Sequence, residues 1–161
     1  VSTRFSIDEI FEMAVEIERH AAELYRRAAR QARRAQTKQL FLSLAATELD
    51  HQKTFEQMQK DSSGAQMPSF DPDNQAALYL KALADAKGRE GKASPAAKLS
   101  GSESTEQILR LAVEAEKDSV AFYVGLKDLV AERSSKDKLD AIIREEMSHI
   151  IQLGRLLTAS G

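Results

Sequence analysis

Apolar positions along the chain recur at alternating steps of three and four in four separate stretches, the period of helices that each bury one face. The first stretch runs through Phe11, Ala14, Glu18, Ala21, Tyr25 and Ala28, with Ser6 and Glu9 forming a capping-box pattern ahead of it. This spacing predicts a helix from about Ser6 to Arg34. A second face carries Phe41, Leu44, Glu48, His51, Phe55 and Met58 and stops at the breaker cluster Asp61-Ser62-Ser63-Gly64. A third, Leu109, Ala112, Glu116, Ser119, Tyr123 and Leu126, is opened by Ser104 and Gln107 and is expected to reach about Glu132. The fourth, Leu139, Ile142, Glu146, His149, Leu153 and Leu156, is expected to take its cap from Ser134 or Ser135 and to run to about residue 158. Residues 62–103 differ: Pro68, Pro72 and Pro95 interrupt them, Gly88, Gly91 and Gly101 loosen them, and only Asn74 to Lys87 is briefly helical.

The helix pairs 6–61 and 104–158 are copies of one another. Glu18, Tyr25, Glu48 and His51 return as Glu116, Tyr123, Glu146 and His149 at one constant offset, and Phe11, Phe41, Leu44 and Phe55 map to Leu109, Leu139, Ile142 and Leu153. A short turn within each pair makes it an antiparallel hairpin, whereas the connector is long enough to cross the length of a bundle. The expectation is an all-α four-helix bundle, one domain over residues 1–161, with one long crossover.

Bulk properties narrow the function classes. A net charge of -2 from 23 basic and 25 acidic residues, well mixed, leaves no basic face for nucleic acid or anionic membrane. No apolar run approaches the roughly 18 residues of a membrane span, and Val1 to Ile10 lacks the zones of a signal peptide, so the cytoplasm is the expected location. The chain has no cysteine, which excludes disulfides, thiol chemistry and iron–sulfur ligation.

Candidate chemistry lies in the polar residues of the seams. Glu18, Glu48, Glu116 and Glu146 each occupy a position with apolar neighbours before and after, where a bare carboxylate would cost several kcal/mol. His51 and His149 follow Glu48 and Glu146 by three residues, about 4.5 Å along a helix and nearly on the same face. One Glu from each of two helices plus Glu-x-x-His from each of the other two is the ligand pattern of dinuclear carboxylate bundles, and it suits iron, manganese or zinc. Small residues flank the carboxylates: Ala14 and Ala21 beside Glu18, Ala112 and Ser119 beside Glu116. A single Glu-x-x-His is weak evidence, since most such pairs are solvated. Two copies at one offset, each matched to a seam Glu on the preceding helix, are hard to obtain by chance.

Other residues have blander readings. Tyr25 and Tyr123, two turns beyond Glu18 and Glu116, either offer a hydroxyl to a carboxylate of a neighbouring helix or are ordinary core aromatics. His20 faces away from Glu18 and has Asp118 as its counterpart, which reads as a surface histidine. Arg26, Arg27, Arg30, Arg33 and Arg34 lie near a helix C-terminus, where cations complement the dipole, and read as a solvated face.

The segments AVEIERHAAELY and AVEAEKDSVAFY, with TELDH and EEMSH, resemble the diiron repeats of rubrerythrin-related proteins in the ferritin-like superfamily. The resemblance covers nearly all of the chain except the connector. It implies two iron ions, with Glu18 and Glu116 as terminal ligands, Glu48 and Glu146 as bridging ligands and His51 and His149 as one nitrogen ligand each. Rubrerythrins proper add a carboxylate where this chain has Ser119 and a cysteine-rich electron-donating domain, which the sequence here lacks. Bacterioferritins share the ligand pattern, but their haem-binding methionine is replaced by Leu49. The resemblance implies an oxidoreductase that reduces peroxide or dioxygen and takes electrons from an external donor protein, and the long exposed helices point to a homodimer. A ferroxidase of ferritin type, or a bundle whose metals serve structure alone, are the alternatives.

Overall fold

The computed structural model describes residues 6–64, 73, 75–86 and 95–159, and they form five α-helices and one short 3-10 turn. Helix α1 spans Ile7–Gln31, α2 Ala35–Asp61, α3 Gln75–Ala86, α4 Thr105–Leu129 and α5 Arg133–Ala159, with the 3-10 turn at Pro95–Lys98. Both expected capping boxes form. Ser6 Oγ accepts from the Glu9 amide at 3.2 Å while the Glu9 carboxylate accepts from the Ser6 amide at 2.7 Å. Ser104 and Gln107 repeat the exchange at 3.1 and 2.8 Å.

Helix ends depart from the periodicity in three places. Helix α1 stops at Gln31, because the backbone turns extended at Ala32, and α4 stops at Leu129 for the same reason at Val130. Helix α5 starts at Arg133, so neither Ser134 nor Ser135 caps it; the Glu132 carbonyl accepts from the Lys136 amide at 3.0 Å, and Ser135 is buried inside the first turn. The same bond joins Lys38 to Arg34 at the start of α2, whose Thr37 is buried like its counterpart Ser135. Hydroxyl residues in both first turns reflect the duplication, not capping. Of the short connector helix expected at Asn74 to Lys87, the two end residues lie outside the described set and the rest is α3.

The three-residue links Ala32–Arg34 and Val130–Glu132 fold α1 onto α2 and α4 onto α5, and the hairpins close the bundle through α1 with α4 and α2 with α5. Two apolar clusters fill its ends. One gathers Phe11, Phe55, Met58, Tyr123, Leu126, Leu139 and Ile142; the other gathers Tyr25, Ala28, Phe41, Leu44, Leu109 and Leu153. The duplication maps the first cluster onto the second. Helix α1 therefore runs from the first end to the second and α4 the reverse, so the internal two-fold axis crosses the bundle at mid-height. Fully burying each Phe or Leu stabilises the fold by about 1.5–3 kcal/mol. These two ends supply the free energy that offsets a polar layer between them.

The crossover does span the bundle: α2 finishes at the first end, where α3 seats Ala77 and Leu80, and the 3-10 turn seats Ala96 at the second, where α4 begins. Helix α3 lies on α4 over Gly125, where an added Cβ would come within 2.8 Å of Tyr79 Cε1 and 2.9 Å of Leu80 Cδ2. Gly125→Val is expected to lower stability by about 1–3 kcal/mol through overpacking, read from the chemical-denaturation midpoint, with metal content unchanged. A midpoint equal to the parent's would show that α3 does not need this contact. Among the described residues no helix is long and apolar enough to cross a membrane.

Candidate metal centre

Midway along the bundle, between the two apolar ends, α1 contributes Glu18, α2 contributes Glu48 and His51, α4 contributes Glu116, and α5 contributes Glu146 and His149. None of the six is more than 4% exposed. The i, i+3 spacing of each Glu-x-x-His pair brings carboxylate and imidazole together on one face: His51 Nδ1 lies 3.3 Å from Glu48 Oε2 and His149 Nδ1 lies 3.2 Å from Glu146 Oε2. Contacts across the bundle are as close. His51 Nδ1 is 2.9 Å from Glu146 Oε1 and 3.7 Å from Glu18 Oε2, while His149 Nδ1 is 3.0 Å from Glu48 Oε1 and 3.4 Å from Glu116 Oε1.

The six side chains form two overlapping sets whose ligand atoms all lie within 4.8 Å of one another: Glu18, Glu48, His51 and Glu146, and Glu48, Glu116, Glu146 and His149. Glu48 and Glu146 belong to both. The imidazole rings stand 6.1 Å apart, nearly parallel, one on each side of the shared carboxylates.

Electrostatics of the bare cluster follow from its burial. Desolvation, and then the Glu146 charge, push the Glu18 carboxyl well above the usual range. Desolvation and Glu146 do the same to Glu116. Burial also works against Glu48 and Glu146, yet the histidines beside them, and for Glu146 also the Glu116 side chain, hold both below the usual range. Burial disfavours the imidazolium of His149, but Glu116, Glu146 and Glu48 outweigh it and push it up to about 12; His51 is raised in the same way. Without metal, burial therefore pushes Glu18 and Glu116 toward their neutral forms, while Glu48, Glu146 and the two histidines favour their charged forms. Even so, both oxygens of Glu48, Oε1 of Glu146 and Nδ1 of His51 are buried without a hydrogen-bond partner among the described residues. Four unpartnered atoms able to ligate a metal, crowded together, are the condition that a pair of cations would relieve.

The tyrosines serve both of the roles considered for them. Each is fully buried in an apolar end, and each hydroxyl donates across the two-fold to a carboxylate: Tyr25 to Glu116 Oε1 and Tyr123 to Glu18 Oε1. Their own protons are held tightly, since burial first and the facing carboxylates next raise both hydroxyls well above the usual phenol range.

The model of the rubrerythrin family matches residues 9–157. The chain belongs to the rubrerythrin family. Among solved structures it is similar to a crystal structure described as that of a ferritin-like diiron-carboxylate protein from Thermotoga maritima, with a TM-score of 0.69, 20% identity and 100% of each chain covered. At that identity the likeness speaks for the fold. No curated protein matches.

Two features mark this rubrerythrin-family chain. Ser119, at the place where rubrerythrins proper are expected to add a carboxylate, is buried, and its hydroxyl turns back to the Ala115 carbonyl at 3.0 Å. The second breaks the internal symmetry. Glu145 Oε2 sits 2.7 Å from His51 Nε2, which leaves His51 Nδ1 facing the cluster. The counterpart of Glu145 is Thr47, whose hydroxyl goes to the Ser43 carbonyl, so among the described residues His149 has no such carboxylate. Sequence reasoning missed Glu145 because only repeated polar residues drew attention, and this one is unpaired in the duplication. His20 stays outside the cluster beside Glu16.

Proposed function

We propose that this chain is a non-haem dinuclear iron redox protein that reduces peroxide or dioxygen with electrons from a separate donor protein. The observation that carries this reading is the pair of buried four-residue sets sharing Glu48 and Glu146. Glu18, Glu48, His51, Glu116, Glu146 and His149 would hold two metal ions, with the two shared carboxylates between them. Bound iron would supply the two electrons that an O–O bond takes up on reduction.

The chain's own residues prepare that chemistry. The hydroxyls of Tyr25 and Tyr123 orient Glu116 and Glu18 without spending their protons. Ala14, Ala112 and Ser119 are small and buried beside the carboxylates, which favours a small substrate over an organic one. The apolar ends exclude water on both sides of the layer. Glu145 fixes the tautomer and orientation of His51, as carboxylates behind metal-bound imidazoles do.

Glu145→Ala is accordingly expected to weaken the metal site of His51 by about tenfold and leave that of His149 unchanged, as read from a competitive chelator titration. Superimposable binding curves for the variant and the parent would contradict a positioning role. The activity itself is tested on anaerobically reduced, iron-loaded protein by following ferric bands in the near ultraviolet. Fast reoxidation by peroxide supports the proposal. Preference for dioxygen with iron uptake beyond two per chain would indicate a ferroxidase, and tight zinc with no redox response a structural role.

A further inference from the structure

We infer that the second end of the bundle carries an oxyanion site, separate from the metal centre, that takes inorganic phosphate or the phosphoryl end of a small metabolite. A cavity of about 270 Å³ opens there between the α1–α2 link, the first turn of α4 and the last turn of α5. Arg33 and Arg34 line it, as do Thr37, Thr105, Leu109 and Leu156, and among the described residues no acidic one does. The arginine run thus divides. Arg27 is engaged by Glu23 and the Ala96 carbonyl, whereas Arg33 and Arg34 have no ion-pair partner among the described residues.

The donors are grouped at the start of α2. Arg34 is the N-cap residue of α2 and gives that helix no side-chain cap, so the first amides of α2 lack the acceptor that a Ser or Asp would provide. Thr37, in the same turn, is only 6% exposed, lines the cavity and makes no hydrogen bond with its hydroxyl among the described residues. Uncapped amides, a buried hydroxyl and two guanidiniums together suit a tetrahedral oxyanion. The C-terminal turn of α5 opposes this with a partial charge of about -0.5, which the two full charges of Arg33 and Arg34 outweigh.

The internal duplication supplies a control within the same molecule. At the first end, Ile7, Phe11 and Met58 stand where the second has Thr105, Leu109 and Leu156, all three buried in the core, and Ala131 and Glu132 replace the two arginines. One framework therefore closes with apolar filler at one end, where Ala131 and Glu132 hold the two arginine positions. The hollow and its arginines at the other are not a requirement of the fold.

Equilibrium dialysis of the metal-loaded full chain against inorganic phosphate, and separately against glycerol phosphate, tests the site. One saturable equivalent per chain is expected, weakened about tenfold or more in Arg33→Gln/Arg34→Gln and less in Thr37→Val, with metal content and helicity unchanged. Tighter binding of glycerol phosphate would identify the phosphoryl end of a metabolite as the ligand, and tighter binding of phosphate the free ion. Absence of saturable binding, or equal affinity in the folded double variant, would overturn the inference.

Discussion

Replacing Glu48 with alanine is expected to reduce the metal content of the reconstituted chain from two ions to one or none. Each oxygen of Glu48 serves a different half of the cluster: Oε2 faces His51 Nδ1 at 3.3 Å and Oε1 faces His149 Nδ1 at 3.0 Å. Its removal takes a ligand from both ligand sets at once, and leaves Glu146 as the single carboxylate common to them. Glu146→Ala should behave alike, since its oxygens lie 2.9 and 3.2 Å from the same two nitrogens. The variants should fold, because the apolar ends that hold the bundle are untouched and one of four crowded carboxylates is gone. Elemental analysis beside far-ultraviolet circular dichroism separates lost binding from lost structure. Ser119→Ala, which touches only the hydroxyl bonded to Ala115, should keep both metals. Two tightly held ions in Glu48→Ala and Glu146→Ala would refute the ligand assignment.

Metal loading is expected to raise the thermal midpoint and to reverse its dependence on pH. In the bare chain the raised carboxyls of Glu18 and Glu116 contribute stability that is complete below 4.5 and is lost as pH rises through their folded values. The histidines act in the same direction from 6.5 upward, His149 toward about 12. Glu48 and Glu146, with lowered values, lose their contribution only on acidification below 4.5. The metal-free midpoint should therefore fall from about pH 5 to about pH 8. Bound metal requires all six ligands deprotonated, so its stabilisation grows over that same interval. At free metal a thousandfold above Kd it amounts to about 4 kcal/mol, or about 8–16 °C for a domain of this size. Calorimetric scans with and without metal at both ends of the interval check the magnitude and the sign. A larger gain at the acid end would contradict the protonation pattern.

Much of this was legible in the chain itself, because the duplication presents the Glu, Glu-x-x-His and Tyr positions of the centre twice. The steps of three and four located four long helices, and the Ser6/Glu9 and Ser104/Gln107 boxes form as read. The six polar seam residues are the ones that the bundle brings together. What repetition could not signal was harder to read. Glu145 is a one-sided addition whose counterpart is Thr47, and the start of α5 is set by the backbone bond to Glu132, not by a hydroxyl nearby. Arg33 and Arg34 resemble any basic helix end until folding places them over a hollow left by smaller residues on α4 and α5. The seat of α3 depends on Gly125, whose counterpart Arg27 occupies the matching surface of α1 and holds the 3-10 turn instead.

The most direct test of the central claim is an anomalous difference map, recorded at the iron absorption edge from crystals of the iron-loaded protein. The account predicts two peaks about 3.5–4 Å apart, one beside His51 Nδ1 and one beside His149 Nδ1, with Glu48 and Glu146 between them. A single peak, or iron lying elsewhere on the bundle, would contradict it.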